Sequence, residues 1–251
     1  MKILRDNWLV GALIFASMGF VLGQFVAGVS ASRSVAPLRI LQDAGASVAN
    51  RLSRVRGLEP NYAYPERREQ FGLFPRPVDV VMVGDSITAA GMWEDIFPGM
   101  RIANRGLGSD RTDDVLRRVD AVLATRPRSA FIMLGINDLA AGRDVQEVFA
   151  DYVRLIESLR GQGIRVVIQS TLECNVDLRR RCRSMLPTIR QLNARLAEHA
   201  GRLGIEYIDL NAALSEPASG LRAAYTIGGV HLTGRGYALW ASLIDPLIGA
   251  P

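Results

Sequence analysis

Four consecutive apolar residues, Val80 to Val83, end abruptly in Gly84-Asp85-Ser86, and this stretch sets the terms for the whole chain. A run of β-formers with no polar alternation reads as a strand buried on both faces, as in parallel sheets covered by helices. Open α/β sheets bind their ligands outside the carboxyl ends of the strands. A serine on the turn that follows such a strand therefore presents its hydroxyl where a nucleophile belongs. Thr88 stands where the G-x-S-x-G elbow needs its second glycine, so the turn is of another kind. Taken alone, Gly-Asp-Ser fits an ordinary turn as well as a catalytic one.

The chain beyond it repeats the pattern. Short apolar runs predict strands over 79–84, 101–104, 129–134, 164–170 and 205–209, and helix-period segments predict helices over 112–124, 145–161, 185–203 and 234–248. Such alternation specifies an α/β fold, a parallel five-stranded sheet with helices on both faces. Right-handed crossovers place the turns after every strand on one rim. Before it, Gly57 to Pro77 carries four prolines and reads as a linker, with Tyr62, Tyr64, Phe71 and Phe74 expected to cover the domain.

Composition matters mainly for its distribution. Hydrophobic residues make up 49% of the chain, and the excess lies at one end: from Trp8 to Val29 there is no charged residue and one strongly polar one, Gln24. That length crosses a bilayer core as a helix and exceeds the apolar core of most cleaved signals. The expectation is a signal anchor within 1–31, a stalk and linker over 32–74 and a globular domain over 75–251, with cleavage after Ala31 as the alternative. Leu38, Leu41, Gly45, Val48, Leu52 and Val55 form a heptad-like stripe, and Gly19 and Gly23 form a G-x-x-x-G step, so a weak homodimer through the stalk is one expectation.

The net charge of +5 is concentrated before residue 71, where nine Lys+Arg face five Asp+Glu; the remainder carries 21 against 20. The surplus suits an anionic membrane surface, and no nucleic-acid motif accompanies it. Lys2 is the only lysine, which excludes serine-lysine dyads and Schiff-base chemistry from the globular part. Cys174 and Cys182 suit a small disulfide ring, consistent with a domain on the extracytoplasmic side of the membrane. Their spacing is not that of a metal knuckle, and no histidine lies nearby.

Each rim turn offers polar groups. Asn104 to Thr112 (NRGLGSDRT) can aim backbone N–H groups at an oxyanion before a helix start, and Gly135-Ile136-Asn137-Asp138 adds a neutral side-chain donor. Of the two histidines, His199 lies at the margin of an apolar helix stripe and reads as a helix-surface residue. His231, in a glycine-rich loop before the last helix, is the plausible base for Ser86.

Together GDSIT, NRGLGSDRT, GIND and GGVHLT resemble, in order and spacing, the SGNH or GDSL hydrolases, including platelet-activating-factor acetylhydrolase-like and lysophospholipase-like members, over roughly 75–251. The resemblance implies a three-layer α/β/α flavodoxin-like domain that hydrolyses esters without metal or cofactor. It assigns Ser86 as nucleophile, His231 as base, an oxyanion hole to the Ser86 N–H, the Ser109 N–H and Asn137, and supporting roles to Asp85, Gly108, Gly135 and Asp138.

Two positions depart from the family pattern. Ser109 replaces the oxyanion glycine, which preserves the N–H if the site does not demand a positive φ. Gly228 replaces the aspartate three residues before the histidine, so a slower enzyme is expected. A backbone carbonyl of the same loop is the favoured substitute for orienting His231, with Glu173 and Asp177 as other candidates. Arg179, Arg180, Arg181 and Arg183 read as a solvated face that an anionic substrate could also meet. The expected substrate is an acyl or acetyl ester of a lipid or carbohydrate. A catalytically impaired binding protein and an acyltransferase or deacetylase of envelope polysaccharide are the alternatives.

Overall fold

The computed structural model describes residues 64–249, so the expected membrane segment and stalk lie outside the described residues. Among the described residues no helix is long and apolar enough to cross a membrane. The first element, α1 (Pro65–Leu73), falls in the segment expected to be a linker. Pro65 occupies the first helical turn, where a missing N–H costs nothing. Phe71 is the buried residue of α1 and the half-exposed Tyr64 ring lies over Gly108, whereas Phe74 is exposed, so two of the described aromatics cover the domain rather than all.

Five parallel strands form the sheet: β1 (Val80–Gly84), β2 (Ile102–Gly106), β3 (Ser129–Met133), β4 (Arg165–Gln169) and β5 (Glu206–Ile208), in the order β2-β1-β3-β4-β5. β1 lies at the topological switch point, paired on one side with β2 (Gly84 opposite Gly106) and on the other with β3 (Gly84 opposite Met133). Every residue of β1 is buried, as its unbroken apolar run requires.

Short helices α2 (Ser86–Ala89) and α3 (Trp93–Ile96) follow β1, α4 (Thr112–Arg117) and α5 (Val119–Leu123) follow β2, and α6 (Ile136–Ala140) and α7 (Val145–Arg160) follow β3. Then come α8 (Cys182–Leu203), α9 (Asn211–Leu214) and, last, α10 (Gly234–Ile248). On one layer α4, α5, α7 and α8 pack together; on the other α10 meets α3 through Trp93 and Trp240, whose rings cross edge-on with centroids 4.8 Å apart. This is the three-layer α/β/α architecture.

α7 shows why its segment is helical. Asp144 caps it, accepting from the Gln146 N–H at 2.7 Å, and Val148, Tyr152, Leu155, Ile156 and Leu159 form the stripe it buries. The single helix expected over 112–124 is instead broken at Arg118. The break turns the Arg118 side chain inward, where Nε donates to Asp110 Oδ2 at 2.6 Å and Nη2 to the Arg105 carbonyl at 2.8 Å. A buried ion pair with a backbone acceptor outweighs one helical hydrogen bond. His199 packs edge-on against Phe149, with centroids 5.6 Å apart, so it joins α8 to α7 rather than lying free on a surface.

Candidate active site

Ser86 starts α2 directly after β1. Asp85 caps that helix, its Oδ1 accepting from the Ile87 N–H at 2.9 Å. Gly84 has to be glycine, since a Cβ there would run into the Thr88 side chain and come within 2.7 Å of the Met133 carbonyl oxygen. Asn104 on β2 braces the far end of α2: its Nδ2 lies 3.1 Å from the Thr88, Ala89 and Gly91 carbonyl oxygens, and its Oδ1 accepts from the Gly106 N–H at 3.0 Å.

His231 reaches Ser86 from 145 residues away, with Nε2 3.0 Å from the serine Oγ. It lies on a two-stranded hairpin, β8 (Thr226–Ile227) paired with β9 (His231–Leu232), preceded by another of β6 (Ser215–Glu216) and β7 (Gly220–Leu221). Thr226 Oγ1 donates to the His231 carbonyl at 2.8 Å, and Tyr237 of α10 donates to the Ile87 carbonyl at 2.7 Å. The hairpin that leads into the last helix thus carries the imidazole, and the last helix clasps the helix that carries the serine.

At position 228 the glycine has φ +63, with open space where a Cβ would be. Among the described residues no hydrogen bond to the other ring nitrogen of His231 is found. Glu173, one of the candidate substitutes for the absent acid, is taken: Arg190 Nε donates to its Oε1 at 2.6 Å. Asp177 is exposed, and its backbone N–H donates to Asn175 Oδ1 at 3.0 Å. Nor does a carbonyl of the same loop fill the role. The imidazole is held through its backbone instead: the Gly229 carbonyl accepts from the Asn175 N–H at 2.8 Å. Asn175 belongs to the ring closed by the Cys174–Cys182 disulfide.

Ser86, Ser109, Asn137 and His231 line one cleft of about 290 Å³, with Ile136, Met185 and Val230 as its apolar wall. Asn137 donates from Nδ2 to the Asp110 carbonyl at 2.9 Å, which fixes the amide and leaves its second N–H for the cleft. Ser109 adopts φ 63, so the position does demand the left-handed backbone. The serine keeps the N–H there at a conformational cost of about 1 kcal/mol. Gly108 faces the Tyr64 ring too closely for a Cβ, and Gly135, at φ +116, caps α6.

Beneath the rim Asp85, Asp110 and Asp138 are fully buried. Asp138 accepts from the Thr112 N–H at 3.0 Å, from Thr112 Oγ1 at 2.8 Å and from Arg143 Nη1 at 2.6 Å, tying the turn after β2 to the turn that carries Asn137. Burial nevertheless pushes its pKa up to about 6. For Asp85 burial dominates, the Asp138 and Asp110 charges add to it, and the pKa rises to about 7. Arg143 also bridges to Asp151 of α7 at 2.6 Å. Sequence reasoning missed Arg118, Arg143 and Asn104. Their pairing is tertiary, and no local spacing announces it.

The model of the GDSL-like lipase/acylhydrolase family matches residues 82–239. Among solved structures, a putative acylhydrolase from Bacteroides fragilis NCTC 9343 is similar with a TM-score of 0.67 and 27% identity, over 76% of this chain and 98% of that one. A GDSL-like lipase from Bacteroides thetaiotaomicron VPI-5482 gives 0.66 and 25%, over 74% and 96%. A mutant of an acetyl-xylooligosaccharide esterase from Geobacillus shares the fold at 0.56 and 19%, over 70% and 96%. No curated protein matches the chain.

Proposed function

Because the chain belongs to the GDSL-like lipase/acylhydrolase family, and is thus an ester-hydrolysing serine hydrolase, we propose that Ser86 is its nucleophile and His231 its general base. The observation that carries this reading is the 3.0 Å approach of Ser86 Oγ to His231 Nε2 at the edge of the cleft. His231 takes the serine proton as Oγ attacks the ester carbonyl, and the developing oxyanion is received by the Ser86 and Ser109 N–H groups and by Asn137. The imidazolium then protonates the departing alcohol, and water repeats the sequence to free the acid.

A cleft of about 290 Å³ lies at the small end of ligand sites, which favours a short acyl group. The acetyl-xylooligosaccharide esterase of the same fold supports an acetylated carbohydrate over a long-chain lipid. With no carboxylate hydrogen-bonded to His231 among the described residues, the hairpin supplies orientation but not charge. Loss of that charge costs about 10⁴ in kcat in the serine-protease template, while substantial catalysis over water remains.

Kinetics on p-nitrophenyl acetate test the reading. Ser86→Ala and His231→Ala are expected to lower kcat by about 10³-fold or more. Gly228→Asp, placed where a Cβ meets nothing and where aspartate tolerates the left-handed backbone, is expected to raise it by about tenfold or more. Undiminished turnover in Ser86→Ala would remove the serine mechanism.

The uncharged stretch from Trp8 to Val29 supports attachment to a membrane, with the catalytic domain outside the cytoplasm. The full-length chain is then expected to stay with membranes through alkaline carbonate and to leave them in detergent. Release by carbonate alone would contradict the anchor.

A further inference from the structure

Ser86 sits where two clefts meet. The second, of about 240 Å³, shares Tyr64, Ser86 and Gly108 with the first and continues past Arg67 and Ala89. Between them the two linings hold Arg67, Arg179 and Arg181 and no aspartate or glutamate. None of the three arginines has a carboxylate within ion-pair distance among the described residues, whereas Arg111, Arg117, Arg118 and Arg143 beneath the rim are all paired. Arg181 is also fixed in place, donating to the Ala140 carbonyl.

That arrangement runs against stability. Like charges held around one cleft repel, and Arg179 to Arg181 lie at the amino end of the 22-residue α8, whose first turn contains no acidic residue to offset them. Cations are disfavoured at that end of a helix. Guanidinium forks in a cleft without acids are matched to carboxylates brought by a ligand. The shared wall of the two clefts is the Tyr64 ring, 52% exposed, which offers an amphipathic face to a sugar ring.

Building on the esterase reading above, we infer that the substrate is a short-chain acyl ester on an anionic carbohydrate, a carboxylate-bearing sugar chain that runs through both clefts across Ser86. The apolar wall of Ile136, Met185 and Val230 takes the acyl group, and the arginines on either side take the acid groups of neighbouring sugars. A lysophospholipid is also an anionic ester, but its long acyl chain has no counterpart in a wall of this size.

The test compares the full-length chain in detergent on acetylated polygalacturonate, acetylated xylan and lysophosphatidylglycerol, with p-nitrophenyl acetate alongside. Polygalacturonate is expected to exceed xylan in kcat/KM by about tenfold at low salt, through electrostatic attraction to the clefts. That ratio is expected to fall to within about twofold at ~0.5 M NaCl, where screening is nearly complete at contact distances. Arg67→Gln, Arg179→Gln and Arg181→Gln are each expected to lower it about two- to fivefold, the range of an exposed ion pair. Equal rates on the two polymers, or a preference that salt leaves untouched, would overturn the anionic substrate while p-nitrophenyl acetate turnover keeps the esterase reading. Preference for lysophosphatidylglycerol over both polymers would overturn the carbohydrate. Failure on all four esters would remove the esterase reading itself.

Discussion

Asp85, next to Ser86, has one carboxyl oxygen capping α2 and the other buried with no hydrogen-bond partner among the described residues. Burial raises its folded-state pKa to about 7, above the 3.8 of an unperturbed aspartate. The native state therefore binds a proton that the unfolded chain has released, and this contribution to stability is full below about pH 4 and is lost as the pH rises to about 7. Asp85→Asn keeps the capping oxygen and removes the titration. Its stability relative to the unsubstituted chain is expected to improve by roughly 1.4 kcal/mol per pH unit between about pH 5 and pH 7, read from denaturant melts. A constant difference across that range would mean that Asp85 is ionised in the fold. The residues proposed to act on the ester, Ser86, Asn137 and His231, are legible because each stands in a short local motif. The strain at Ser109 is not, since nothing in the chain forces φ 63 on a serine except the turn it must complete.

Elements differ in how much of their cause is local. β1, β3 and β4 can be read from contiguous apolar runs, and α7 and α10 from their stripes and caps, because burial leaves a mark in sequence, whereas β2 and β5 hold only two apolar residues each. α1 leaves none, having Phe71 alone as its buried residue. The guanidinium of Arg105 stacks over that ring, 4.6 Å from its centroid, a contact between segments that no window includes. The hairpin bearing His231 is likewise too short and glycine-rich to announce itself. Its support is the ring closed by Cys174 and Cys182, through the Asn175 N–H bond to the Gly229 carbonyl, while Asn175 Nδ2 ties the same ring to the preceding hairpin at the Leu221 carbonyl, at 2.7 Å. Opening that ring, by reductant or by a Cys174→Ala/Cys182→Ala double variant, is expected to cost about 2–3 kcal/mol from loop-closure entropy. On p-nitrophenyl acetate, which brings no acid group to the ring's Arg179 and Arg181, it is also expected to lower kcat severalfold with a smaller change in KM, because it loosens the loop that holds His231. A KM effect alone would place the ring in substrate binding and not in holding the imidazole.

At the scale of the molecule, a parallel sheet gathers the turns after β1, β2 and β3 on one rim, and the closing helix α10 returns the chain to that rim from the far end of the sequence. Trp240 anchors α10, donating from Nε1 to Gln169 Oε1 of β4 at 2.6 Å, and Tyr237 joins it to α2. Right-handed crossovers between parallel strands put the turns after them on one rim, so the rim is legible from sequence, whereas the flavodoxin-like arrangement of the strands is implied only by the family resemblance. Which arginines turn inward and which stay around the clefts is decided by packing between distant segments. The central claim is that this fold activates one serine through one histidine 145 residues away. Fluorophosphonate treatment of the full-length chain, with the modified residue located by peptide mass spectrometry, tests it most directly. Modification is expected at Ser86, and at a rate at least about 10²-fold lower in His231→Ala, in keeping with loss of a general base. Modification of another serine, or of Ser86 at the same rate without His231, would contradict the account.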